Sequence, residues 1–156
     1  MDNDLYSREE KKGWIGLYSR LKEINNERDK IITEYLSCSS RYAHNKSTYE
    51  NAKIKFSSSE DELEKLRDDY YDIVKESYNG SLTEEQAKVE KIVNIAFNID
   101  RLETELKQLE IDWKDAESQM NELDSRTDSL EKELQYLEEQ TKVLINTFEH
   151  KYNRFI

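Results

Sequence analysis

The residues able to do chemistry in this sequence are two histidines, one cysteine and many carboxylates. Paired Glu-x-x-His motifs would hold two metal ions inside a helical bundle, but Arg41 and Thr147 stand three residues before His44 and His150. The sequence contains no His-Glu-x-x-His, no glycine-rich phosphate loop and no Cys-x-x-Cys. It therefore predicts a non-catalytic protein without a metal or cofactor.

Four tyrosines, at 35, 42, 49 and 70, recur at multiples of seven residues. One interpretation is a stacking platform for a ligand, and the other is core packing with the hydroxyls reaching water at the edge of a thin interface. Core packing is favoured. Direct nucleic-acid binding is not expected, because a chain with a formal net charge of −11 repels phosphate backbones.

The elements that carry these residues are indicated by the composition. Only 35% of the residues are apolar and 38% are charged, whereas globular domains are about 45–50% apolar. The chain is nevertheless rich in aromatic residues, which disordered chains lack. Long helices that each bury a narrow stripe satisfy both observations.

A heptad repeat runs along most of the chain. Alternating steps of three and four residues from Trp14 to Ile73, and again from Ile92 to Phe148, meet apolar residues almost throughout. The sequence predicts an all-α protein: a long antiparallel coiled-coil helical hairpin, with a short N-terminal helix or bundling into a larger helical assembly as variants. The expected boundaries are 1–13 for an N-terminal segment or short helix, 14–78 for the first arm, 79–83 for the turn, 84–150 for the second arm and 151–156 for a tail.

The turn is predicted at Asn79-Gly80, in a chain with no proline. Gly80 is expected to take the left-handed conformation that closes a helix. Ser81 with Glu84, or Thr83 with Gln86, offers a capping box for the second helix. An antiparallel register in which paired residue numbers sum to about 165 then sets Cys38 against Thr127, Ala52 against Trp113 and Leu17 against Phe148.

Several positions bear on the continuity and specificity of the seam, the heptad stripe along which the two helices are expected to pair. Cys38 is expected to be a small core residue, with a redox or interchain role as the alternative. Arg28 and Asn45 are polar seam positions that would set register and orientation, or are simply tolerated beside solvent. The serine-rich stretches 37–40 and 57–59 form helix poorly, and a break at either would give a bundle of three or four helices.

Apolar residues leave the seam near both ends of the predicted hairpin, and a two-helix seam cannot bury such widened faces. We expect protein partners there, namely other helical subunits. The alternative is a local third helix, such as 2–12 folded back past Gly13 and Gly16, or self-association into a homo-oligomer. The candidate residues at the turn end are Tyr71, Val74, Tyr78, Leu82, Val89, Val93 and Phe97. Those at the termini end are Trp14, Ile15, Tyr18, Ile32, Leu36, Val143, Ile145, Tyr152 and Phe155.

The stretch 110–139 is strongly acidic, with Lys114, Arg126 and Lys132 as its only basic residues. A solvated, salt-bridged face is the ordinary meaning of such charge density. The alternatives are a dock for a basic partner or a decoy that mimics nucleic acid. The single cysteine, the polar N-terminus and the lack of an apolar span of about 20 residues predict an intracellular protein, cytoplasmic by default with the nucleus as an alternative.

The function expected from these observations is that of a non-catalytic structural or adaptor subunit that mediates protein–protein interactions in a larger complex. The alternative is a small acidic inhibitor or decoy. A further alternative comes from Tyr78-x-Gly80 in the bend, which is similar to the Trp-x-Gly hairpins of type VII secretion substrates and their helical accessory proteins. Here Tyr replaces Trp, and the Tyr-x-x-x-Asp/Glu tail signal is missing because Gln140 follows Tyr136 at that spacing.

Overall fold

The protein is an all-α antiparallel helical hairpin, as the heptad repeat predicts. In the computed structural model, helix α1 spans Asp2–Lys75 and helix α2 spans Leu82–Tyr152. The structure describes the backbone of residues 2–76 and 80–152, and the side chains of 10–76 and 80–151. Within this part of the chain, neither helix has a stretch long and apolar enough to cross a membrane.

Helix α1 is continuous where breaks were considered. It passes through Gly13 and Gly16, so the residues of the expected short N-terminal helix are the first turns of α1. It also passes through 37–40 and 57–59, and Ser59 is buried in the seam rather than capping a new helix. The weak helix propensity of these serine-rich stretches is overridden, because packing of the apolar stripe supplies most of the stability of a long helix.

The predicted seam is the buried part of the molecule. With Trp14 and Ile92 assigned to heptad position a, every a and d residue of α2 from Ile92 to Phe148 is buried or half-buried. In α1 the same holds from Leu17 to Ile73, except at Arg28, which is exposed. Leu102 and Leu130 are the largest fully buried side chains in the described part of the chain. The heptad repeat therefore identifies the core correctly.

The chain divides into two compact units, and both helices contribute to each. The first unit contains the chain up to Tyr42 together with the chain from Glu122 onward, and the second contains Ala43–Asn121. In the first unit, Cys38 packs with Leu123 and Leu130, which lie on either side of its predicted partner Thr127. In the second, Trp113 stacks edge-on against Phe56 at 4.8 Å between ring centroids, one turn from its predicted partner Ala52.

The helix ends at the turn are closed differently from the prediction. The backbone of Gly80 is not in the left-handed region, and α1 already ends at Lys75. Its last turn is tightened by a bond from the Glu76 amide to the Ile73 carbonyl (3.2 Å), and the Lys88 ammonium donates to the Glu76 carbonyl (2.7 Å). A cation of α2 thus caps α1, where both the free carbonyls and the helix dipole favour positive charge.

Gly80 instead lies close to the side chain of Glu84. A Cβ at this position would lie 3.0 Å from the Cβ of Glu84. Ser81 caps α2, because its hydroxyl accepts from the Glu84 amide (3.2 Å) and its carbonyl accepts from the Glu85 amide (3.0 Å). Of the two predicted capping boxes, the Ser81 cap is confirmed. Glu84 and Glu85 lie in the first turn of α2, where the helix dipole favours carboxylates.

We expect Leu130→Ala to lower the free energy of unfolding by about 2–5 kcal/mol, because it removes a fully buried side chain from the seam and leaves a cavity. Leu36→Ala, the same substitution at a side chain that is 62% exposed in the same unit, should change it by less than about 0.5 kcal/mol. Urea unfolding followed by circular dichroism measures both. Equal effects of the two substitutions would contradict this seam.

Candidate interaction faces

The groups with potential for chemistry are dispersed. His44 is exposed in the second unit and His150 is exposed in the first. Among the residues that the structure describes, no three His, Cys, Asp or Glu side chains converge in a way that could hold a metal ion. Cys38 is buried against Leu123 and Leu130, which is the packing expected of a small core residue.

The candidate residues of the turn end are exposed in the second unit. The exposed fraction is 81% for Leu82 and 71% for Phe97, and about half for the others. Tyr78 lies outside the described residues, so the Tyr78-x-Gly80 pattern has no geometry to compare. We call the following set the turn-end face: Tyr71, Val74, Leu82, Val89, Val93 and Phe97.

Most of the turn-end face lies on one side of the seam. In the heptad numbering, Val74, Leu82 and Val89 occupy position e, and Tyr71 and Val93 occupy the neighbouring position b. Antiparallel pairing places the e positions of the two helices on the same side, and the contacts agree. Arg67 and Glu103, both at e, form an ion pair of 3.0 Å. Both helices also line one groove there, which is formed by Arg67, Tyr70, Tyr71, Ala96, Ile99 and Asp100.

The other side of the same seam is polar. The g positions nearest the turn are all hydrophilic and exposed: Glu62, Asp69, Glu76, Glu84, Lys91 and Asn98. Farther along the second unit, a groove of about 440 Å³ on this side is lined by both polar and apolar residues, including Thr48, Asp112, Ala52 and Leu109. Near the turn, the second unit is therefore apolar on one side of the seam and hydrophilic on the other.

Most candidate residues of the termini end lie on the e side of the seam as well, with Ile15 and Leu36 at b and Tyr18, Ile32 and Ile145 at e, and Val143 is the exception. Trp14 packs its ring against Phe148 at 4.4 Å between centroids and remains 39% exposed. Ile15, Tyr18 and Leu36 are exposed, and Ile32 and Ile145 are half-buried. Val143 instead lines a groove with Arg20, Tyr136 and Gln140, on the side of the seam opposite Ile32. The side chain of Tyr152 and all of Phe155 lie outside the described residues.

Arg28 interrupts the seam of the first unit and leaves a groove of about 420 Å³. The groove is lined by Ile24, Arg28, Ile32, Leu134, Leu137, Glu138 and Thr141. Arg28 forms no ion pair with either Glu133 or Glu138, the two partners that the register would allow. The other polar seam residue, Asn45, is half-buried and lines the groove of about 440 Å³ in the second unit.

One bidentate ion pair crosses the seam of the first unit. Arg126 donates from Nε to Glu34 at 2.7 Å and from an Nη atom to the second carboxylate oxygen at 2.9 Å. These hydrogen bonds, aided by the opposite charge, hold the pKa of Glu34 below its usual value and raise that of Arg126. Both side chains remain accessible to water, so the pair contributes to register more than to stability.

Sequence reasoning missed some exposed apolar residues away from the ends. Ile54 and Ile111, both at the outward position f of the second unit, are 70% and 53% exposed. Tyr136 is exposed in the first unit and accepts a hydrogen bond from Gln140 (2.7 Å). Their heptad positions could have identified them, because an apolar residue opposite the seam has no partner within a two-helix structure.

Comparison with known proteins gives no relative of this chain. No protein-family description, no curated protein and no solved structure matches it. The functional argument therefore depends on the faces described above.

The pKa of Glu34 gives the hairpin a pH-dependent contribution. Because the folded-state pKa lies below the ordinary value of 4.5, this contribution is complete above the pH at which the unfolded glutamate titrates. It is lost as the pH falls through the lower folded-state pKa. The difference in free energy of unfolding between wild type and Glu34→Gln should therefore shrink toward acid pH, as measured by urea unfolding at a series of pH values.

The control is Glu122→Gln in the same unit. Glu122 is exposed and makes no ion pair within the described part of the chain, so its difference from wild type should vary less with pH. A Glu34→Gln difference that stays constant down to strongly acid pH would contradict an ion pair with Arg126.

Arg28→Leu should fill the groove with apolar surface. We expect it to raise the free energy of unfolding by about 1 kcal/mol through burial against Leu134 and Leu137. If Arg28 also sets pairing specificity, light scattering should find larger oligomers in the variant. Lys22→Leu, at an exposed position on the outer surface of α1, is the control and should leave stability unchanged. A neutral or destabilising Arg28→Leu would show that the seam tolerates arginine at no cost.

Proposed function

We propose that this protein is a non-catalytic structural or adaptor subunit that binds protein partners within a larger assembly. The observation that carries the proposal is the turn-end face. Its six side chains are exposed while the a and d positions beside them are already occupied by the facing helix. They are therefore surplus to the core, and apolar side chains clustered on one side of a surface are typical of an interaction site.

The first unit supports a second contact of the same kind. Ile32 is half-buried at the edge of the groove that Arg28 leaves open, and the exposed Leu36 follows one turn later. Such a groove can accept an apolar side chain from a partner, because Ile24, Leu134 and Leu137 form apolar walls. A subunit with separate contacts in its two units can bind two partners or two parts of one partner.

The alternative function is an acidic decoy or inhibitor. It is favoured by the exposed carboxylates of Glu122, Asp124, Asp128, Glu133 and Glu139 in the first unit, where Arg126 is committed to Glu34. Isolated surface carboxylates are the usual finding on a solvated helix, so we place this function second.

Affinity purification of the full chain from its native cells, followed by mass spectrometry, tests the proposal. Val89→Ser with Val93→Ser should reduce recovery of a partner by at least about tenfold, because it removes apolar contacts from the centre of the turn-end face. Ile54→Ser is the matched control, since it makes an exposed β-branched residue polar elsewhere in the second unit. It should leave recovery unchanged.

Recovery of the same proteins by wild type and by the Val89/Val93 variant would contradict the role of this face. If partners were instead lost on replacing Glu122, Asp124 and Asp128 by their amides, the acidic alternative would take its place.

A further inference from the structure

We infer that the turn-end face binds an amphipathic α-helix whose apolar stripe is flanked by lysine and arginine. The inference deepens the proposed function and rests on it, since it names the chemistry of the partner at that face. Its basis is the one-sidedness of the face together with the sign of the charges that surround it.

The shape of the face suits a helix. Residues at e and b continue the apolar surface outward from the seam on both helices, and the groove between Tyr71 and Ala96 runs between those two rows. A helix laid on such a surface inserts side chains at i, i+3, i+4 and i+7, which is a recurrent mode of helix recognition. Tyr71 supplies an aromatic anchor of the type that dominates binding energy at interfaces, and Phe97, at position f, lies at the outer margin of the face beside Val93.

The charges beside the face are acidic. Four exposed carboxylates border it, which we call the acidic rim: Glu64, Asp68, Glu90 and Asp100. Arg67 lies among them but is engaged by Glu103, and the exposed cations Lys75 and Arg101 follow Tyr71 and Phe97 by four residues, so acidic side chains are in excess. A partner with basic flanks meets complementary charge on both edges of its apolar stripe.

The same charges argue against a second copy of this chain as the occupant. A symmetric dimer through this face would set one acidic rim against another, in a chain that already carries a formal net charge of −11. Like charges placed together at an interface oppose association. The apolar surface alone would permit a dimer, so self-association must be measured alongside helix binding.

Selection from a displayed library of amphipathic helices, about three heptads long, tests the inference with the full-length protein as target. The flanking positions encode Lys, Arg, Glu and Gln at equal frequency around a fixed apolar stripe. We expect enrichment of Lys and Arg at the flanks. For a selected peptide, Tyr71→Ala with Val93→Ser should weaken binding by at least about 30-fold, whereas Ile54→Ser should not change it.

Charge reversal on the two sides of the seam separates local complementarity from net charge. Glu64→Lys with Asp100→Lys should weaken binding of the basic peptide by about tenfold, and raising the salt concentration should weaken binding to the wild type. Glu62→Lys with Asp69→Lys changes the net charge of the second unit equally but on the polar side. That control should have a much smaller effect.

The outcomes distinguish this inference from the proposed function. Selected peptides that depend on Tyr71 and Val93 but carry acidic or uncharged flanks would overturn the basic partner and leave a helix-binding face. Failure to select any peptide that depends on these residues would overturn helix binding at this face. If sedimentation equilibrium finds a dimer that Val93→Ser dissociates, the occupant is a second copy and the inference is wrong. The affinity purification described above tests the adaptor role independently.

Discussion

The seam between the two helices is the constraint on which the rest of the structure depends. Apolar residues at most a and d positions make a stripe that a single helix cannot bury, and the chain covers it by returning along itself. Leu102 in the second unit and Leu130 in the first are almost completely removed from water by this return. Because a two-helix interface has only one layer, every side chain outside a and d remains available for other contacts.

The chemistry of each side of the seam is therefore set by the residues at the flanking positions. Near the turn, valine and leucine at position e expose apolar surface to water, whereas the hydrophilic side chains at position g are well solvated. The two sides of the second unit thus differ in chemistry although one seam supports both. In the first unit, Arg28 has a different effect. This charged residue occupies a seam position and lines a groove there, instead of extending an apolar face.

The parts of the structure that follow from periodicity could be predicted from the sequence. The seam, the antiparallel register near Cys38 and the Ser81 cap all depend on local patterns or fixed spacing. The closure of α1 could not be predicted in the same way, because Lys88 reaches the Glu76 carbonyl only once the helices are paired. A sequence pattern assigned that task to Gly80, which instead lies close to the side chain of Glu84.

The candidate interaction face, too, could be predicted from the sequence only in part. Exposure of Leu82, Val89 and Val93 follows from their positions outside the seam, but their common side with Tyr71 depends on how e positions meet in an antiparallel pair. Among the termini-end residues, Val143 alone of the described residues outside the seam lies on the side opposite Ile32, although sequence spacing grouped it with the others. Sequence spacing indicates which residues are surplus to the core, and pairing geometry decides which of them act together.

The Lys88 cap also has a kinetic consequence. It joins residues 12 positions apart, whereas the contacts Arg67–Glu103, Arg126–Glu34 and Arg20–Gln140 span 36, 92 and 120 positions. Closing a loop ten times longer costs about 2 kcal/mol more in chain entropy, so pairing begins most cheaply beside the turn. Each further heptad then pairs next to one that is already paired. A contact with a long intervening loop, such as Arg20–Gln140, consequently gains most from the pairing of the heptads that precede it.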